Sequence, residues 1–311
     1  MGQVLSVLDL QKVYEVKRSA FSVQKDLINA LCGVSLELDK GKTTGIVGES
    51  GSGKSTLARC ILLLERPDGG TISFLGRDLL NMPKGELKAL RRQMQIIFQD
   101  PYSSLNPRKR IFDTIAEPLL FHGIVDRRDV KDKVMEILKN VGLDEDFINK
   151  YPHEMSGGQR QRVAIGRSLT TDPALIIADE PVSSLDVSIQ AQIVNLFLDI
   201  KERTDIAMLF VSHDLNVVRF VSDEIVVMYK GRVVEAGLKD EVFLGPLHPY
   251  TKMLINAAKG EYSRREEDTS YDKGNGCPYY ARCEERKDCC RESVPPLTGS
   301  KDHSVACFSV S

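Results

Sequence analysis

The stretch TTGIVGESGSGKST, residues 43–56, decides the fold of this chain. Residues 43–47 are mostly β-branched or apolar and predict a strand, and residues 54–64 predict a helix. Between them lies a glycine-rich segment with the spacing Gly-x4-Gly-Lys-Ser. After a strand and before a helix, that spacing is typical of a loop whose backbone N–H groups converge on phosphate groups. The stretch therefore predicts a nucleotide site at the start of a parallel α/β core.

Strand and helix patterns continue to alternate along the chain. Further apolar runs that predict strands occupy residues 71–75, 175–178, 208–211 and 224–229. Because the links between these runs and the intervening helices are short, we expect a mostly parallel sheet. Short alternating apolar runs before residue 40 predict an N-terminal antiparallel β subdomain. Residues from about 100 to 170 have helical spacing and predict a helical subdomain inserted into the core of an α/β, P-loop NTPase fold.

The 311 residues are enough for two domains. We expect a nucleotide-binding domain at residues 1–260 and a polar linker with a cysteine-rich, metal-binding C-terminal region at residues 261–311. A hydrophobic content of 42%, a charged content of 28% and a net charge of −2 predict a soluble protein without the basic field of a nucleic-acid binder. The apolar runs are too short to cross a bilayer, and no signal-peptide pattern is present, so we expect a cytosolic protein.

The glycine-rich loop and the first helical turn supply the expected nucleotide contacts. Lys54 is expected to reach the β- and γ-phosphates, and the Ser55 hydroxyl is expected to ligate magnesium. Glycines in the loop let the backbone approach the phosphates closely. The full contact set is Gly48, Ser50, Gly51, Ser52, Gly53, Lys54, Ser55 and Thr56.

Two adjacent carboxylates, Asp179 and Glu180, close the apolar run ALIIADE at residues 174–180. A strand of this composition is buried, and its C-terminal end is where α/β sheets bind ligands. We interpret Asp179 as the carboxylate on the magnesium side of the nucleotide. Glu180 is then the candidate general base that accepts a proton from the attacking water.

The segment MSGGQ, residues 155–159, lies between the glycine-rich loop and the two carboxylates. A serine and two glycines before a helix predicted over residues 160–168 make an anion site at a helix N-terminus. Together the three motifs resemble the ATP-binding cassette ATPases. The resemblance implies that ATP is hydrolysed between two such subunits, and that the γ-phosphate held by the opposite subunit is bound by Ser156, Gly157, Gly158 and Gln159. Met155 stands where that family usually has leucine, and we expect little effect from an apolar exchange of similar size.

Four further residues match the cassette family. Gln99, in IIFQD, resembles the glutamine that contacts magnesium and the lytic water and reports to the transmembrane partner. His213, in VSHD, resembles the catalytic histidine that contacts the γ-phosphate. Asp186, in a Ser-Leu-Asp turn, resembles the loop residue at the dimer interface. Tyr14, in LQKVY, is the expected aromatic residue that stacks on adenine, with Phe21 nearby in the sequence.

One branch of this family is especially similar. The segments FQDPYSSLNPR at residues 98–108, AEPL at 116–119 and HPYTKML at 248–254 resemble the ATPases of oligopeptide and dipeptide permeases. The C-terminal cysteines resemble the tail of that group, which in some members holds a four-iron four-sulfur (4Fe-4S) cluster. The expected ligands, separated by gaps of five, six and sixteen residues, are Cys277, Cys283, Cys290 and Cys307.

The identity of the tail metal stays open at this point. Four thiolates suit either an iron–sulfur cluster or zinc, because both take soft sulfur ligands. The gaps are wider than the C-x2-C spacing of common zinc sites, which favours iron–sulfur. Cys289 is a rival to Cys290 for one ligand position. A redox sensor or a regulatory binding module is a further interpretation of the tail, and a structural metal site is the simpler one.

The resemblance implies an ATPase that energises import of peptides, with ATP and Mg²⁺ bound at the cassette. The expected partners are a second ATPase subunit, identical or homologous, two transmembrane permease subunits and, indirectly, an extracytoplasmic substrate-binding protein, but no nucleic acid. The protein is then peripheral, at the cytoplasmic face of the cell membrane. The alternatives are an importer ATPase for nickel or oligosaccharides and a cassette ATPase without a transport role.

Overall fold

The computed structural model describes residues 2–17, 25–261 and 276–310, which pack as two units. The first unit comprises the residues up to Val4 together with Asp39–Lys42 and Asn81–Phe210. The second unit comprises Leu5–Leu38, Thr43–Leu80 and the described residues from Val211 onward.

Within the described residues, the strands and helices expected from the sequence are present, and strands that were not predicted, such as Arg77–Asp78 and His303–Val305, join them. The strands are β1 Gln3–Lys17, β2 Lys25–Asp39, β3 Thr43–Val47, β4 Gly69–Phe74, β5 Arg77–Asp78, β6 Met94–Ile97, β7 Leu175–Asp179, β8 Ala207–Val211, β9 Glu224–Tyr229, β10 Arg232–Leu238, β11 Thr298–Gly299 and β12 His303–Val305. The α-helices are α1 Lys54–Ile61, α2 Lys84–Leu90, α3 Pro101–Ser104, α4 Ile111–Phe121, α5 Val130–Asn140, α6 Gly157–Leu169, α7 Val187–Arg203, α8 Leu215–Val221, α9 Lys239–Leu244, α10 Pro249–Ala258 and α11 Cys289–Glu292. Short 3-10 helices occupy Arg91–Gln93, Glu145–Asn149, Pro152–Glu154 and Tyr280–Arg282.

The second unit holds the N-terminal β subdomain and the phosphate loop. One of its sheets has the strand order β2-β1-β4-β5, in which β4 pairs antiparallel with both β1 and β5. In its other sheet, β3 pairs in parallel with β9. Antiparallel pairs then join β9 to β10, β10 to β12 and β12 to β11. The antiparallel N-terminal subdomain expected from the alternating apolar runs is therefore confirmed.

The first unit holds parallel strands and the helical insertion. Strands β6 and β7 pair in parallel, and every residue of β7 and β8 is buried. The elements between β6 and β7 are all helical, as the spacing over residues 100–170 predicts. This unit contributes the strand that carries Asp179, so the α/β class expected from the sequence is also confirmed.

Two predicted helix boundaries were wrong, each for a local reason. Helix α6 begins at Gly157 rather than at residue 160, because the side chains of Ser156 and Gln159 form a capping box over its first turn. Helix α1 ends at Ile61, and Leu63 takes a left-handed backbone conformation with φ of 50°. The leucines at positions 62–64 continue the helical pattern in the sequence, so the predicted helix ran past its true end at Ile61.

The C-terminal tail is part of the second unit and packs against β10. Strand β12 pairs with β10, with Glu235 opposite Val305 and Gly237 opposite His303. Most of the predicted linker, residues 262–275, lies outside the described residues. No helix within the described ranges 2–17, 25–261 and 276–310 has the length and apolar character to cross a membrane.

Candidate functional site

The phosphate loop is shaped by glycines that no other residue can replace without a clash. It leaves the fully buried strand β3 at Gly48, whose φ is 152°, and enters α1 after Gly53, whose φ is 103°. A Cβ at Gly48 would lie 2.2 Å from the Met228 carbonyl oxygen, and one at Gly53 would lie 2.4 Å from the Ala30 carbonyl oxygen. The loop is thus held in a narrow channel of backbone in which only glycine fits.

Lys54 and Ser52 leave polar groups facing the interior of this loop. The Lys54 ammonium is 5% exposed and donates to the carbonyl oxygens of Gly48 at 2.8 Å and Glu49 at 3.0 Å. The Ser52 hydroxyl is buried and has no hydrogen-bond partner among the described residues. A cation and an unsatisfied hydroxyl at the N-terminus of a helix are the groups that a phosphate would satisfy. Ser50 and Gly51 complete the loop, and Ser55 and Thr56 lie in the first turn of α1.

Tyr14 lies on β1 beside the helix that follows the phosphate loop. Its hydroxyl hydrogen-bonds the carboxylate of Glu65 and also contacts Thr56. Burial, with the Glu65 carboxylate, raises the pKa of the Tyr14 hydroxyl. The ring is half-buried, and the Lys12 ammonium lies 5.5 Å from its centre. Phe21, the other aromatic noted in this region, lies outside the described residues.

The first unit carries the predicted catalytic carboxylates. Asp179 ends β7 and is buried, and Glu180 follows it with φ of 49°, a left-handed conformation that is uncommon for a glutamate. The Gln99 amide nitrogen donates to the Glu180 carboxylate at 3.1 Å. The structure thus brings together two of the predicted catalytic side chains from positions 81 residues apart.

The MSGGQ segment forms the N-terminus of α6. The Ser156 hydroxyl accepts from the Gln159 N–H, while the Gln159 side chain accepts from the Ser156 N–H at 3.0 Å. Ser156 is exposed and Gly158 is buried, where a Cβ would lie 2.4 Å from a methyl group of Ile189. Gly157 lies between them and is the first residue of α6. This turn offers the backbone N–H groups of a helix N-terminus to an anion.

Asp186 and His213 lie at the ends of other elements. Asp186 is the N-cap residue of α7, is exposed, and its side chain makes no capping hydrogen bond. His213 follows β8 and precedes Asp214, whose carboxylate caps α8 by accepting from the Asn216 N–H at 2.8 Å. Both therefore occupy the loop positions that the sequence predicts for them, and His213 belongs to the second unit.

Four of the five tail cysteines are wholly or partly buried. Cys277, Cys290 and Cys307 are buried, Cys283 is half-buried, and the Cys277 N–H donates to the Cys290 carbonyl at 2.8 Å. Burial, with the neighbouring Cys277, Cys307 and Cys290 thiols, raises the pKa of the Cys283 thiol to about 11. Cys289 is exposed. Within the ranges that the structure describes, no three Cys, His, Asp or Glu side chains form a site for a single metal ion.

Three residues beside the phosphate loop are missing from the sequence prediction. The Glu49 carboxylate forms a bidentate ion pair with Arg282, and the Glu49 N–H donates to the Tyr250 hydroxyl at 2.8 Å. These pairs join positions 233 and 201 residues apart, so no local pattern identifies them. Only the similarity of HPYTKML to a known family segment pointed to the region of Tyr250.

Two family models match different parts of this chain. A model described as "ABC transporter" matches residues 31–183. A second model, described as "Oligopeptide/dipeptide transporter, C-terminal region", matches residues 234–290. The first match contains the phosphate loop and the two carboxylates, and the second contains α10 and four of the five tail cysteines.

Individual relatives match over almost the whole chain. The dipeptide transport ATP-binding protein DppF of Escherichia coli is 43% identical over 99% of this chain and 94% of its own length. The oligopeptide transport ATP-binding protein AppF of Bacillus subtilis is 43% identical over 98% of this chain and 96% of its own. A solved dimeric ATP-binding cassette in a post-hydrolysis state, bound to ADP and Pi, superposes with a TM-score of 0.67 and 30% identity. That structure covers 76% of this chain, and the match spans 98% of its own.

Proposed function

This chain belongs to the ATP-binding subunits of ABC transporters, and we propose that the ATP it hydrolyses energises import of peptides through a membrane permease. The observation that carries this proposal is the match of residues 234–290 to the C-terminal region of oligopeptide and dipeptide transporters. The named peptide-transport relatives, similar over more than nine-tenths of their lengths, support it. The partners we propose are a second cassette subunit, two permease subunits and an extracytoplasmic binding protein, with this chain at the cytoplasmic face of the membrane.

We propose distinct roles for the residues of the nucleotide site. Lys54 and the backbone amides of the loop hold the phosphates, while the Ser55 hydroxyl, Asp179 and Gln99 hold Mg²⁺. Glu180 accepts the proton of the attacking water, and the hydrogen bond from the Gln99 amide orients its carboxylate. His213 contacts the γ-phosphate.

The remaining roles belong to adenine binding and to the dimer. Tyr14 stacks on adenine, which its place beside Thr56 supports. The turn at residues 156–159 binds the γ-phosphate held by the second subunit, and Asp186 lies at the interface with that subunit. For the domain organisation, we retain residues 1–260 as the nucleotide-binding domain and residues 261–311 as the linker and tail.

A groove in the first unit is the site that we propose for the permease. It has a volume of about 450 Å³ and lies beside β6, α4 and α6. Its lining includes Phe98, Lys109, Glu117, Phe121 and Arg167, and the Phe121 side chain is 67% exposed. A groove that combines exposed aromatic side chains with charged ones fits a short amphipathic helix of a membrane subunit. Because Phe98 directly precedes the glutamine bonded to Glu180, the groove adjoins the residue expected to report on the nucleotide.

We propose that the tail holds a four-iron four-sulfur cluster. The Cys277, Cys290 and Cys307 thiols act on the pKa of Cys283, so we assign these four to the cluster, and the exposed Cys289 lies outside that set, which favours Cys290 as the fourth ligand. Zinc, which four thiolates also suit, is the alternative. When bound, the cluster supplies four metal–thiolate links that hold the tail together.

The metal proposal is tested by purifying the full chain without oxygen. About four irons and four acid-labile sulfides per chain, with a broad absorption band in the visible region, are expected. Cys283→Ser should lose metal, whereas Cys289→Ser should keep it. Zinc in place of iron, or unchanged iron in Cys283→Ser, would contradict the assignment and leave the ATPase intact.

The transport proposal is tested in proteoliposomes that contain the complete transporter. Addition of the binding protein loaded with a di- or oligopeptide should stimulate ATP hydrolysis and drive peptide uptake. Glu180→Gln should abolish both. Stimulation by a nickel complex or an oligosaccharide, but not by peptides, would identify one of the alternative importers instead.

A further inference from the structure

The cysteine-rich tail contacts the phosphate loop through one ion pair. The two terminal nitrogens of Arg282 donate to the two carboxylate oxygens of Glu49, each at 3.0 Å. Glu49 directly follows Gly48 in the loop, and Arg282 directly precedes the tail cysteine Cys283. Paired bonds of this kind fix both the distance and the plane of the two groups.

Buried aromatic residues hold this ion pair in place. The Arg282 guanidinium lies 5.8 Å from the centre of the Tyr279 ring, and Tyr279 packs against Tyr229 and Tyr250 at 5.2 Å and 5.4 Å. The Tyr250 hydroxyl accepts the Glu49 N–H at 2.8 Å. The Arg282 side chain is 17% exposed and the Glu49 side chain is 41% exposed, so solvent is excluded from the pair on the arginine side only. Tyr250 therefore holds the backbone of Glu49, and Arg282 holds its side chain.

The charge of Glu49 is unfavourable for the function of the loop that carries it. The Glu49 carbonyl lies 3.0 Å from the Lys54 ammonium, which places this residue next to the cation that holds the phosphates. An unpaired carboxylate on this loop would repel a triphosphate. Arg282 cancels this charge and directs the carboxylate toward the tail.

We propose that Arg282 is a positioning residue for the nucleotide: by neutralising and holding Glu49, it makes full ATP affinity depend on a correctly folded cysteine-rich tail. Arg282 acts through Glu49 and is not itself a phosphate ligand. The inference requires ATP binding at the loop, but neither the identity of the solute nor that of the tail metal.

The first test measures nucleotide affinity of the full chain by titration with ATP, ADP and AMP. Arg282→Gln should weaken ATP binding about tenfold, equivalent to about 1.4 kcal/mol, because the Glu49 charge is then unpaired. The loss should shrink from ATP to ADP to AMP as phosphate charge decreases. Arg282→Lys, which keeps the charge but loses the two-point geometry, should be intermediate. Arg291→Gln is the matched control, since this exposed arginine also adjoins a predicted ligand cysteine.

The decisive test is rescue by removal of the opposite charge. Glu49→Gln in the Arg282→Gln background should restore ATP affinity to within about threefold of the parent. Glu49→Gln alone, which leaves the arginine in place, should bind ATP at least as tightly as the parent. The proposal is overturned if Arg282→Gln binds ATP like the parent, if the double variant stays as weak as Arg282→Gln, or if Glu49→Gln alone weakens binding. A variant that merely misfolds the tail would not be rescued.

Discussion

Glu180 combines a strained backbone with a directed side chain. Its φ of 49° is uncommon outside glycine, asparagine and aspartate, and the Gln99 amide donates to its carboxylate at 3.1 Å. Strained residues persist where the surrounding structure holds them, and they concentrate at functional sites. The hydrogen bond from Gln99 holds the carboxylate in one direction, which suits the general-base role that we propose for Glu180.

Replacement of this carboxylate by an amide should therefore remove turnover and spare binding. Glu180→Gln keeps the size of the side chain, so we expect ATP affinity within about threefold of the parent and a kcat lowered by about 10³, as for loss of a general base. Single-turnover hydrolysis and equilibrium ATP binding provide the two readouts. Glu202→Gln, at an exposed position on α7, is the control. Hydrolysis by Glu180→Gln at the parent rate would assign the base to another residue.

His248 makes the stability of the second unit depend on pH. Burial lowers the pKa of His248 to about 4, from an ordinary value of 6.5, and its Nδ1 accepts the Tyr250 N–H at 3.0 Å. That bond needs an unprotonated nitrogen. Because the unfolded chain binds the proton more tightly, the stabilisation is complete above pH 6.5 and is lost as pH falls toward 4, by about 1.4 kcal/mol per pH unit.

Denaturation with urea at pH 7 and pH 5 measures this effect. The parent should lose about 2 kcal/mol from this residue over that interval. His248→Asn retains an acceptor for the helix N-terminus but does not titrate, so its pH dependence should be smaller by that amount. His153→Asn, at an exposed histidine, should leave the slope unchanged. Equal slopes in the parent and His248→Asn would show that this histidine is not the titrating group.

At the residue scale, the sequence predicts contacts that are close along the chain and misses those that are distant. The phosphate loop and the Asp179-Glu180 pair each lie within a few positions, where backbone geometry follows from residue type. The pairing of Glu49 with Arg282 depends on how the tail folds back across 233 positions. Residue type allows either one to be an ordinary exposed charge, so only the tertiary structure reveals the pair.

At the element scale, the start of α6 is fixed by packing as much as by its cap. Gly158 faces α7, and a Cβ there would lie 2.4 Å from a methyl group of Ile189. A Cβ on the preceding Gly157 would lie 3.3 Å from a terminal methyl group of Leu185, which a flexible side chain can accommodate. Packing against α7 therefore requires glycine at position 158 but not at position 157.

The matched pair Gly158→Ala and Gly157→Ala tests this difference. Gly158→Ala should destabilise the protein by about 2 kcal/mol, because the added methyl group forces α6 and α7 apart. Gly157→Ala should be near neutral, since its small steric cost is offset by a gain in helix propensity. Thermal unfolding of both variants gives the comparison. Equal loss of Tm in the two variants would contradict the assignment of Gly158 to the helix contact.

Element boundaries show where pattern reasoning succeeds. The fully buried strands β3, β7 and β8 were predicted closely, because continuous apolar runs bounded by polar residues have few other conformations. Strand β12 was missed because HSV is short and mixed, and its strand geometry comes from pairing with β10. The start of α6 was predicted three residues too late, because Gly157 and Gly158 have low helix propensity and the cap at Ser156 was not used to place the start.

At the scale of the whole chain, one buried carboxylate joins three distant segments of the second unit. Glu235, on β10, is 0% exposed and accepts the Leu247 and His248 N–H groups, each at 2.8 Å. Its carboxylate also lies 2.7 Å from Nε2 of His303 in the tail strand β12. Because a buried carboxylate needs such partners, attachment of the tail is tied to the entry into α10.

Glu235→Gln should loosen the tail without changing the volume of the core. One carboxylate oxygen becomes an NH₂ group that faces an N–H donor, and a buried mismatch of this kind costs about 2 kcal/mol. Hydrogen exchange should then accelerate first in residues 298–305 and in the residues before α10, since these lose their shared acceptor. Glu241→Gln, at an exposed position in the first turn of α9, should leave exchange unchanged. If the Glu49–Arg282 pair depends on a docked tail, Glu235→Gln should also weaken ATP binding. Accelerated exchange with unaltered ATP affinity would separate tail attachment from the phosphate loop.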